Sequence, residues 1–157
     1  MSTGGGATRP ESDRLRIGGG KLAEPPEGIS GYMPEPRMKQ RVFPQLRMTN
    51  WQRTRAFYVD GLGFSVDWEH RFEPGLPVFT QITRDGLSLF LTEHAGDCQV
   101  GGAAYLVVDD VDALFREISR RGINPAELPG DTEWHAREMT VVDPDGNRLR
   151  FSTAVTE

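Results

Sequence analysis

Three histidines and the acidic residues beside two of them are the side chains in this 157-residue chain best suited to acid–base or metal chemistry. Glu69-His70 and Glu93-His94 are adjacent pairs, and adjacent residues in a strand point to opposite faces. The third histidine, His135, is isolated and could gain or lose a proton near neutral pH. None of the three has a partner at the short spacing of metal ligands, so we interpret them as solvated or loop side chains.

The single cysteine, Cys98, lies in a polar loop, and we expect a partly exposed thiol there. One cysteine cannot form an internal disulfide, which fits a reducing compartment. The longest apolar run, Ala103 to Val108, is far too short to span a membrane. The first residues also lack the basic-then-apolar order of a signal peptide. We therefore expect a cytoplasmic protein that does not bind a membrane.

The acidic excess of the chain lies in residues 41–157. This part carries twelve arginines, no lysine and eighteen acidic residues, whereas the whole chain has a net charge of −5. Nucleic-acid binding would require a basic stripe, so we predict no nucleic-acid partner. The acidic excess would attract a cationic small ligand, although ordinary surface solubility is the simpler explanation.

The first 40 residues differ in composition from the rest of the chain. They contain two glycine triplets and five of the eleven prolines, with few apolar residues. Such a segment cannot bury enough surface to offset the entropy lost on ordering. We predict a disordered N-terminal extension over residues 1–40, followed by a folded domain over residues 41–157.

The folded part repeats its pattern at an offset of 60 residues. Asn50 and Asp110 each stand where a helix should begin, and the turns Asp85-Gly86 and Asp145-Gly146 each separate two strands. The order strand, helix, three strands occurs twice, in units of about 41–96 and 101–157. Strands are predicted at about 42–48, 64–72, 78–83, 87–92, 103–108, 126–128, 137–142 and 147–153, and helices at about 50–60 and 110–121. The sequence therefore predicts an α+β fold of tandem βαβββ units.

Two sequence motifs connect this pattern to a known family. Residues 56–64 read AFYVDGLGF and residues 143–151 read DPDGNRLRF. With this spacing the chain resembles the glyoxalase/bleomycin-resistance/dioxygenase superfamily, also called the vicinal oxygen chelate superfamily. It is most similar to the metal-free branch related to bleomycin resistance, of which Trp134 followed by Arg137-Glu138 is also typical. The resemblance implies a curled eight-stranded mixed sheet with the helices outside and a cavity inside.

The same resemblance places the usual metal ligands of the superfamily near Phe43, Phe90, Ala103 and Arg150. None of these residues offers the imidazole, carboxylate or thiolate that a divalent ion requires. Their immediate neighbours in the sequence do not offer one either. We therefore predict no metal and no cofactor, which argues against a metal-dependent isomerase or dioxygenase.

Aromatic and polar residues remain as candidates for ligand binding. Strand alternation predicts a lining made of Phe43, Gln45, Ser88, Phe90, Tyr105 and Arg150. The resemblance adds Asp67, Trp68 and Trp134, at positions similar to the acidic and aromatic residues with which bleomycin-binding members hold flat heteroaromatic rings. Two alternatives stay open: Phe43 and Phe90 could be core residues, and Arg150 could pair with Glu138 or receive an acidic ligand group.

Three functional hypotheses follow. In the first, the protein sequesters an aromatic, cationic antibiotic of the bleomycin type without a metal and without turnover. In the second, it is an enzyme of the same superfamily with unusual metal-free chemistry that uses His135 and Glu138. In the third, it binds another metabolite. The resemblance also implies a homodimer with ligand pockets at the subunit interface.

Overall fold

The structure is a computed structural model, and it describes residues 41–155. The predicted disordered extension over residues 1–40 lies outside the described residues.

Each half of the described chain contains one helical region and four strands. The elements of the first half are β1 (Gln45–Arg47), α1 (Trp51–Arg55), which continues as a π-helical segment (Ala56–Gly61), β2 (Ser65–His70), β3 (Phe79–Arg84) and β4 (Leu87–Thr92). Those of the second half are β5 (Ala103–Val107), α2 (Val111–Arg120), β6 (Glu127–Asp131), β7 (Ala136–Val142) and β8 (Arg148–Ala154). The predicted α+β fold of two βαβββ units is confirmed.

The eight strands form two mixed sheets of four strands each. The first sheet has the order β1-β4-β3-β2 and the second has the equivalent order β5-β8-β7-β6. In each sheet the first and last strands of the unit are parallel neighbours, and the remaining pairs are antiparallel. The eight strands implied by the family resemblance are present, and they pair as two sheets of four strands rather than as one curled sheet of eight.

Both helices begin where the sequence predicts. The Asn50 side chain accepts a hydrogen bond from the Arg53 amide at 2.9 Å, and the Asp110 side chain accepts one from the Ala113 amide at 2.9 Å. Each cap satisfies an amide that has no partner within its helix. The first helical region ends at Gly61, and Gly63 follows with a φ of +75°, a conformation that favours glycine.

One hydrophobic core joins the two units. Leu46, Leu89 and Leu106 lie on the inner faces of the two sheets and are at most 5% exposed. The predicted apolar stripe of α2 packs against the same core, which confirms both the strand alternation and the helix period. One prediction at the strand edge is wrong: Val42 precedes β1 and is 91% exposed, because the strand is shorter than its pattern suggests.

The loop between β7 and β8, residues 143–147, connects the second unit to the first. The buried Asp143 carboxylate accepts a 2.8 Å hydrogen bond from the Tyr58 hydroxyl. The fully buried Asn147 donates to the Arg47 carbonyl at 2.8 Å and accepts from the Gly102 amide at 2.9 Å. Burial, followed by the charge of Asp143, raises the pKa of Tyr58 well above its ordinary value, so its hydroxyl stays protonated. The motif that carries the family resemblance is therefore a structural link.

Arg84 makes a second link between the units. Its Nη2 lies 2.6 Å from Glu117 Oε2, and its Nη1 donates to the Leu62 carbonyl at 2.6 Å. The hydrogen bond from Arg84 lowers the pKa of Glu117. The pair is only partly exposed, so solvent screens it less than a surface ion pair.

We expect Arg84→Met to lower the free energy of unfolding by about 1–2 kcal/mol at neutral pH, because a carboxylate and a carbonyl lose a charged donor. The folded-state pKa of Glu117 is depressed. The contribution is therefore fully present above the ordinary carboxyl value of 4.5 and is lost as the pH falls through the folded-state value. Urea unfolding at a series of pH values measures both effects.

The matched control is Arg148→Met, because the pair between Arg148 and Glu127 at 3.3 Å is about half exposed. It should cost less than about 0.5 kcal/mol. Equal losses in the two variants would contradict the role assigned to Arg84.

Candidate functional site

The outer face of the first sheet, turned away from the core, carries a cluster of four aromatic rings. The Phe43 and Phe90 rings are stacked, with centroids 4.8 Å apart and an interplanar angle of 7°. The Trp68 ring lies 5.7 Å from Phe90 and 5.4 Å from Phe79. Each such contact contributes about 0.5–1.5 kcal/mol beyond area burial. Trp68 and Phe90 are only 7% and 6% exposed and Phe43 and Phe79 are partly exposed, so the cluster is a closely packed aromatic group on this face.

A β-bulge in β2 positions the polar part of this face. The pairing register with β3 shifts between Val66 and Trp68, so Asp67 is an extra residue. As a result Asp67 and Trp68 both reach the outer face, although simple alternation would separate them. The Asp67 carboxylate accepts hydrogen bonds from Gln81 Nε2 at 2.8 Å and from the Thr83 hydroxyl at 2.5 Å. Gln81 Oε1 in turn accepts from Trp68 Nε1 at 3.2 Å, which fixes the indole.

The outer face of the second sheet carries an equivalent arrangement around Glu138. One oxygen of this carboxylate accepts hydrogen bonds from the Tyr105 hydroxyl at 2.5 Å and from Trp134 Nε1 at 2.9 Å. The other oxygen lies 3.7 Å from Arg150 Nε. The Glu138 side chain is 9% exposed, whereas Tyr105 and Trp134 are 54% and 61% exposed. A nearly buried carboxylate thus holds two exposed rings in place.

The ionisation of Glu138 follows from these contacts. Burial by itself would raise the pKa of this carboxyl. Hydrogen bonds from Tyr105 and Trp134, together with the charge of Arg150, outweigh burial and leave the pKa below its ordinary value. Glu138 is therefore a carboxylate at neutral pH. The pairing of Arg150 with Glu138, one of the two predicted alternatives for Arg150, is confirmed.

The seven candidate ligand-binding residues fall into two groups on the two outer faces. The first sheet carries Phe43, Asp67, Trp68 and Phe90, and the second sheet carries Tyr105, Trp134 and Arg150. Within each group the structure brings the side chains together. The ring contacts and hydrogen bonds described above join side chains of the same group. The inner faces of the two sheets share one core.

Each outer face has its own hollow. The one on the first sheet has a volume of about 600 Å³, and its lining includes Phe43, Gln81 and Ser88. The one on the second sheet has a volume of about 500 Å³, and its lining includes Tyr105 and Arg150. Both volumes are in the range of small-molecule sites. Of the residues predicted to line one cavity, Phe43 and Ser88 line the first hollow, and Tyr105 and Arg150 line the second.

Sequence reasoning missed Phe79 and Gln81, and it considered Glu138 only as a partner of Arg150 or, with His135, as a group for metal-free chemistry. Strand parity in β3 was an available signal, because Phe79, Gln81 and Thr83 alternate with buried residues on the opposite face. Strand parity could not predict that Glu138 accepts a hydrogen bond from Tyr105. Its partner Tyr105 is 33 positions away along the chain, on a strand that is not its direct neighbour in the sheet.

The remaining candidates for chemistry do not form a reactive pair. His135 is exposed, in a left-handed conformation with a φ of +59°. Trp51, in the first helix, is buried and donates to Glu69 at 2.8 Å, a structural contact. Burial, followed by the charge of Asp97, raises the pKa of the partly exposed Cys98 thiol. The thiol is therefore less reactive than an ordinary cysteine.

Comparison with protein families identifies the fold. A family model described as glyoxalase superfamily protein matches residues 35–157. The chain belongs to the glyoxalase superfamily. No curated protein matches the chain.

Solved structures with the same fold as this glyoxalase superfamily protein include antibiotic-binding proteins. A bleomycin-binding protein in complex with bleomycin is 26% identical, with matched regions covering 76% of this chain and 100% of the other, and a TM-score of 0.59. A bleomycin resistance determinant encoded on the transposon Tn5 is 24% identical, with 74% and 98% covered and a TM-score of 0.60. TnmS3, an antibiotic binding protein from Streptomyces sp. CB03234, is 22% identical, with 75% and 99% covered and a TM-score of 0.59.

The positions at which the family resemblance puts metal ligands lie on the two outer faces of this glyoxalase superfamily protein. Phe43 and Phe90 stack on the first sheet, and Ala103 and Arg150 lie on the second. Within residues 41–155, no group of three or more histidine, cysteine, aspartate or glutamate side chains is placed to hold a metal ion. Neither helix of this region is long and apolar enough to cross a membrane.

Proposed function

We propose that this protein sequesters a flat, aromatic, cationic antibiotic of the bleomycin type, by metal-free stoichiometric binding without turnover. The observation that carries the proposal is the same on both outer faces: aromatic rings are fixed by hydrogen bonds that end at a carboxylate. On the first face Trp68 is held through Gln81 to Asp67, and on the second Tyr105 and Trp134 are held by Glu138.

The chemistry of these faces fits a flat cation. Rings that are already fixed lose little conformational freedom when a ligand stacks on them. A cationic group over a tryptophan ring gains about 0.5–2 kcal/mol, and the two carboxylates add attraction for positive charge. Arg150 is available to an acidic group of the same ligand. The bleomycin complex of a protein with this fold supports the choice of antibiotic class.

The domain that would perform this function spans residues 41–157, and we propose that it works in the cytoplasm. Sequestration requires one binding site for each antibiotic molecule and no chemical step. The positions of the usual metal ligands carry no suitable donor, so we propose that binding is independent of metal.

Titration of the full chain with metal-free bleomycin, followed by tryptophan fluorescence, tests the proposal. We expect saturable binding and unchanged bleomycin by mass spectrometry after prolonged incubation. In Trp68→Ala the binding should be lost. The absence of any saturable response in the wild type would refute the bleomycin assignment, and turnover would favour the enzyme hypothesis instead.

We further propose that a second copy of this chain completes each site. Trp68 belongs to the first sheet and Trp134 lies beside the second, and we propose that each site combines these two residues from different subunits. In a homodimer, the first sheet of one subunit can face the second sheet of its partner. The exposed apolar side chains Tyr105, Val107 and Trp134 on the second sheet, 54–65% exposed, support this contact.

Co-expression of two differently tagged variants tests the shared site. Trp68→Leu and Trp134→Ala homodimers should each bind bleomycin weakly, because every site contains one altered ring. In a mixed dimer, one of the two sites combines the unaltered Trp68 of one subunit with the unaltered Trp134 of the other. The second site then carries both substitutions. Tight binding should therefore return in purified mixed dimers at one bleomycin per dimer, measured by calorimetry. No recovery, or a monomer by light scattering at the same concentration, would exclude a shared site.

A further inference from the structure

We propose that a second pocket in this protein binds a small nitrogen heteroaromatic ring that carries an amino group. The pocket lies at one end of the outer face of the first sheet and has a volume of about 290 Å³. This histidine pocket is lined by Gln45, His70, Phe72, Phe79, His94 and Asp97. Its volume is at the lower limit of small-molecule sites and fits a ligand of one or two rings. The pocket shares Phe79 with the aromatic cluster described above, but His70 and His94, on which this inference depends, are not among the proposed antibiotic-binding residues, so either proposal can fail without the other.

Two phenylalanines provide flat apolar walls. Phe72 lies in the loop between β2 and β3 and is 72% exposed. The rings of His70 and His94 meet it edge to face, with centroids 4.8 Å and 5.9 Å away, so it is held in place although it is outside the core. Phe79 is fixed by the Trp68 ring at 5.4 Å. Rings held in this way favour an aromatic ligand, which can stack on one wall or meet it edge-on.

The polar groups of the pocket further restrict the chemical class of the ligand. No hydrogen bond joins the imidazole of His70 or His94 to another residue of the described part, 41–155. The ring nitrogens of both imidazoles are therefore available for hydrogen bonds to a ligand. The Asp97 carboxylate accepts a hydrogen bond from the Thr92 hydroxyl at 2.6 Å, which orients it and leaves acceptor capacity on its oxygens.

This combination matches an amino-substituted heteroaromatic ring. The carboxylate and the imidazole acceptors would receive the amino protons, and the imidazole donors would serve the ring nitrogens. Within the described part of the chain, none of the residues that line the pocket is a lysine or an arginine, so an acidic ligand finds no positive partner among them. A purely apolar ring would displace water from the two imidazoles without offering them a hydrogen bond, which disfavours it.

Adenine is a suitable probe, and purine, the same ring system without the amino group, is its matched comparison. The protein contains three histidines, so proton–carbon NMR spectra of the imidazoles can report on each separately. Adenine should shift the signals of His70 and His94 saturably and leave the signal of His135 unchanged. Purine should bind roughly tenfold more weakly, as expected for one lost hydrogen bond to a charged group.

Two substitutions and a control complete the test. His70→Ala and His94→Ala should each weaken adenine binding roughly tenfold. The control His135→Asn also removes an imidazole but lies outside the pocket, and asparagine tolerates the left-handed backbone at this position. Equal shifts of all three histidines, no saturable shift, or equal binding of purine and adenine would overturn the inference. None of these outcomes bears on the bleomycin titration, which reads different residues.

Discussion

Replacing Trp134 with alanine should weaken bleomycin binding by roughly thirtyfold, the effect of losing an interface tryptophan worth about 2 kcal/mol. The side chain is 61% exposed, so its removal should leave the folded protein nearly as stable as the wild type. Calorimetric titration measures the affinity without relying on tryptophan fluorescence, and a thermal melt checks the fold.

Val100→Ala is the control for this prediction. It also shortens an exposed apolar side chain, 53% exposed, but lies in the loop between β4 and β5, outside both groups of candidate residues. Its affinity should equal that of the wild type. An affinity of Trp134→Ala within about twofold of the wild type would remove this residue from the site.

We assign two roles to the Glu138 carboxylate: it orients the rings of Tyr105 and Trp134, and its charge attracts a cationic ligand. The substitution Glu138→Gln tests these two roles separately. The substitution keeps a hydrogen-bond acceptor for Tyr105 and Trp134 but removes the negative charge, so the rings should stay close to their positions. Affinity for a cationic ligand should then fall by roughly threefold to tenfold, with a smaller effect at high salt. Equal affinities of wild type and variant at low salt would mean that the carboxylate serves only to orient the rings.

Asn147→Ala should lower the free energy of unfolding by roughly 3–4 kcal/mol, a large part of the stability of a small domain. The side chain is fully buried and bonds to Arg47, Gly102 and Asp143, so its loss leaves one buried and two partly buried polar groups without that partner. Urea unfolding at neutral pH measures the change as a lower midpoint at similar slope.

Asn124→Ala provides the comparison for this second prediction, because it removes an exposed asparagine outside the helices and strands. Its cost should stay within about 0.5 kcal/mol. If Asn147→Ala cost no more than that, the loop 143–147 would not hold the two units together.

The residues that identify the family are different from the residues that could bind a ligand. The loop 143–147, the most recognisable motif of the chain, is occupied by structural hydrogen bonds to the first unit. The candidate binding residues lie on the outer faces of the sheets, away from that loop. One fold can therefore carry different ligands while its recognisable motifs stay the same.

Much of the fold follows from local patterns in the sequence. The caps at Asn50 and Asp110 and the apolar stripe of α2 depend on residues at most a few positions apart. The glycine-containing turns at Asp85-Gly86 and Asp145-Gly146 also depend only on their own residues, and both glycines have positive φ. Such features can be predicted because their energy is set within one turn or one strand. For the same reason, the lack of metal-binding side chains at Phe43, Phe90, Ala103 and Arg150 was visible in the sequence.

Tertiary structure alone decided how the candidate site is assembled. The pairing register of β2 with β3 shifts at Asp67, which produces the bulge. This shift turns Asp67 and Trp68 to the same face. The contact of Tyr105 with Glu138 likewise depends on strand order in the second sheet. The two groups of candidate binding residues lie on different sheets, whose inner faces share one core. Each of these outcomes depends on pairing and packing between distant segments, which the pattern of a single segment does not contain.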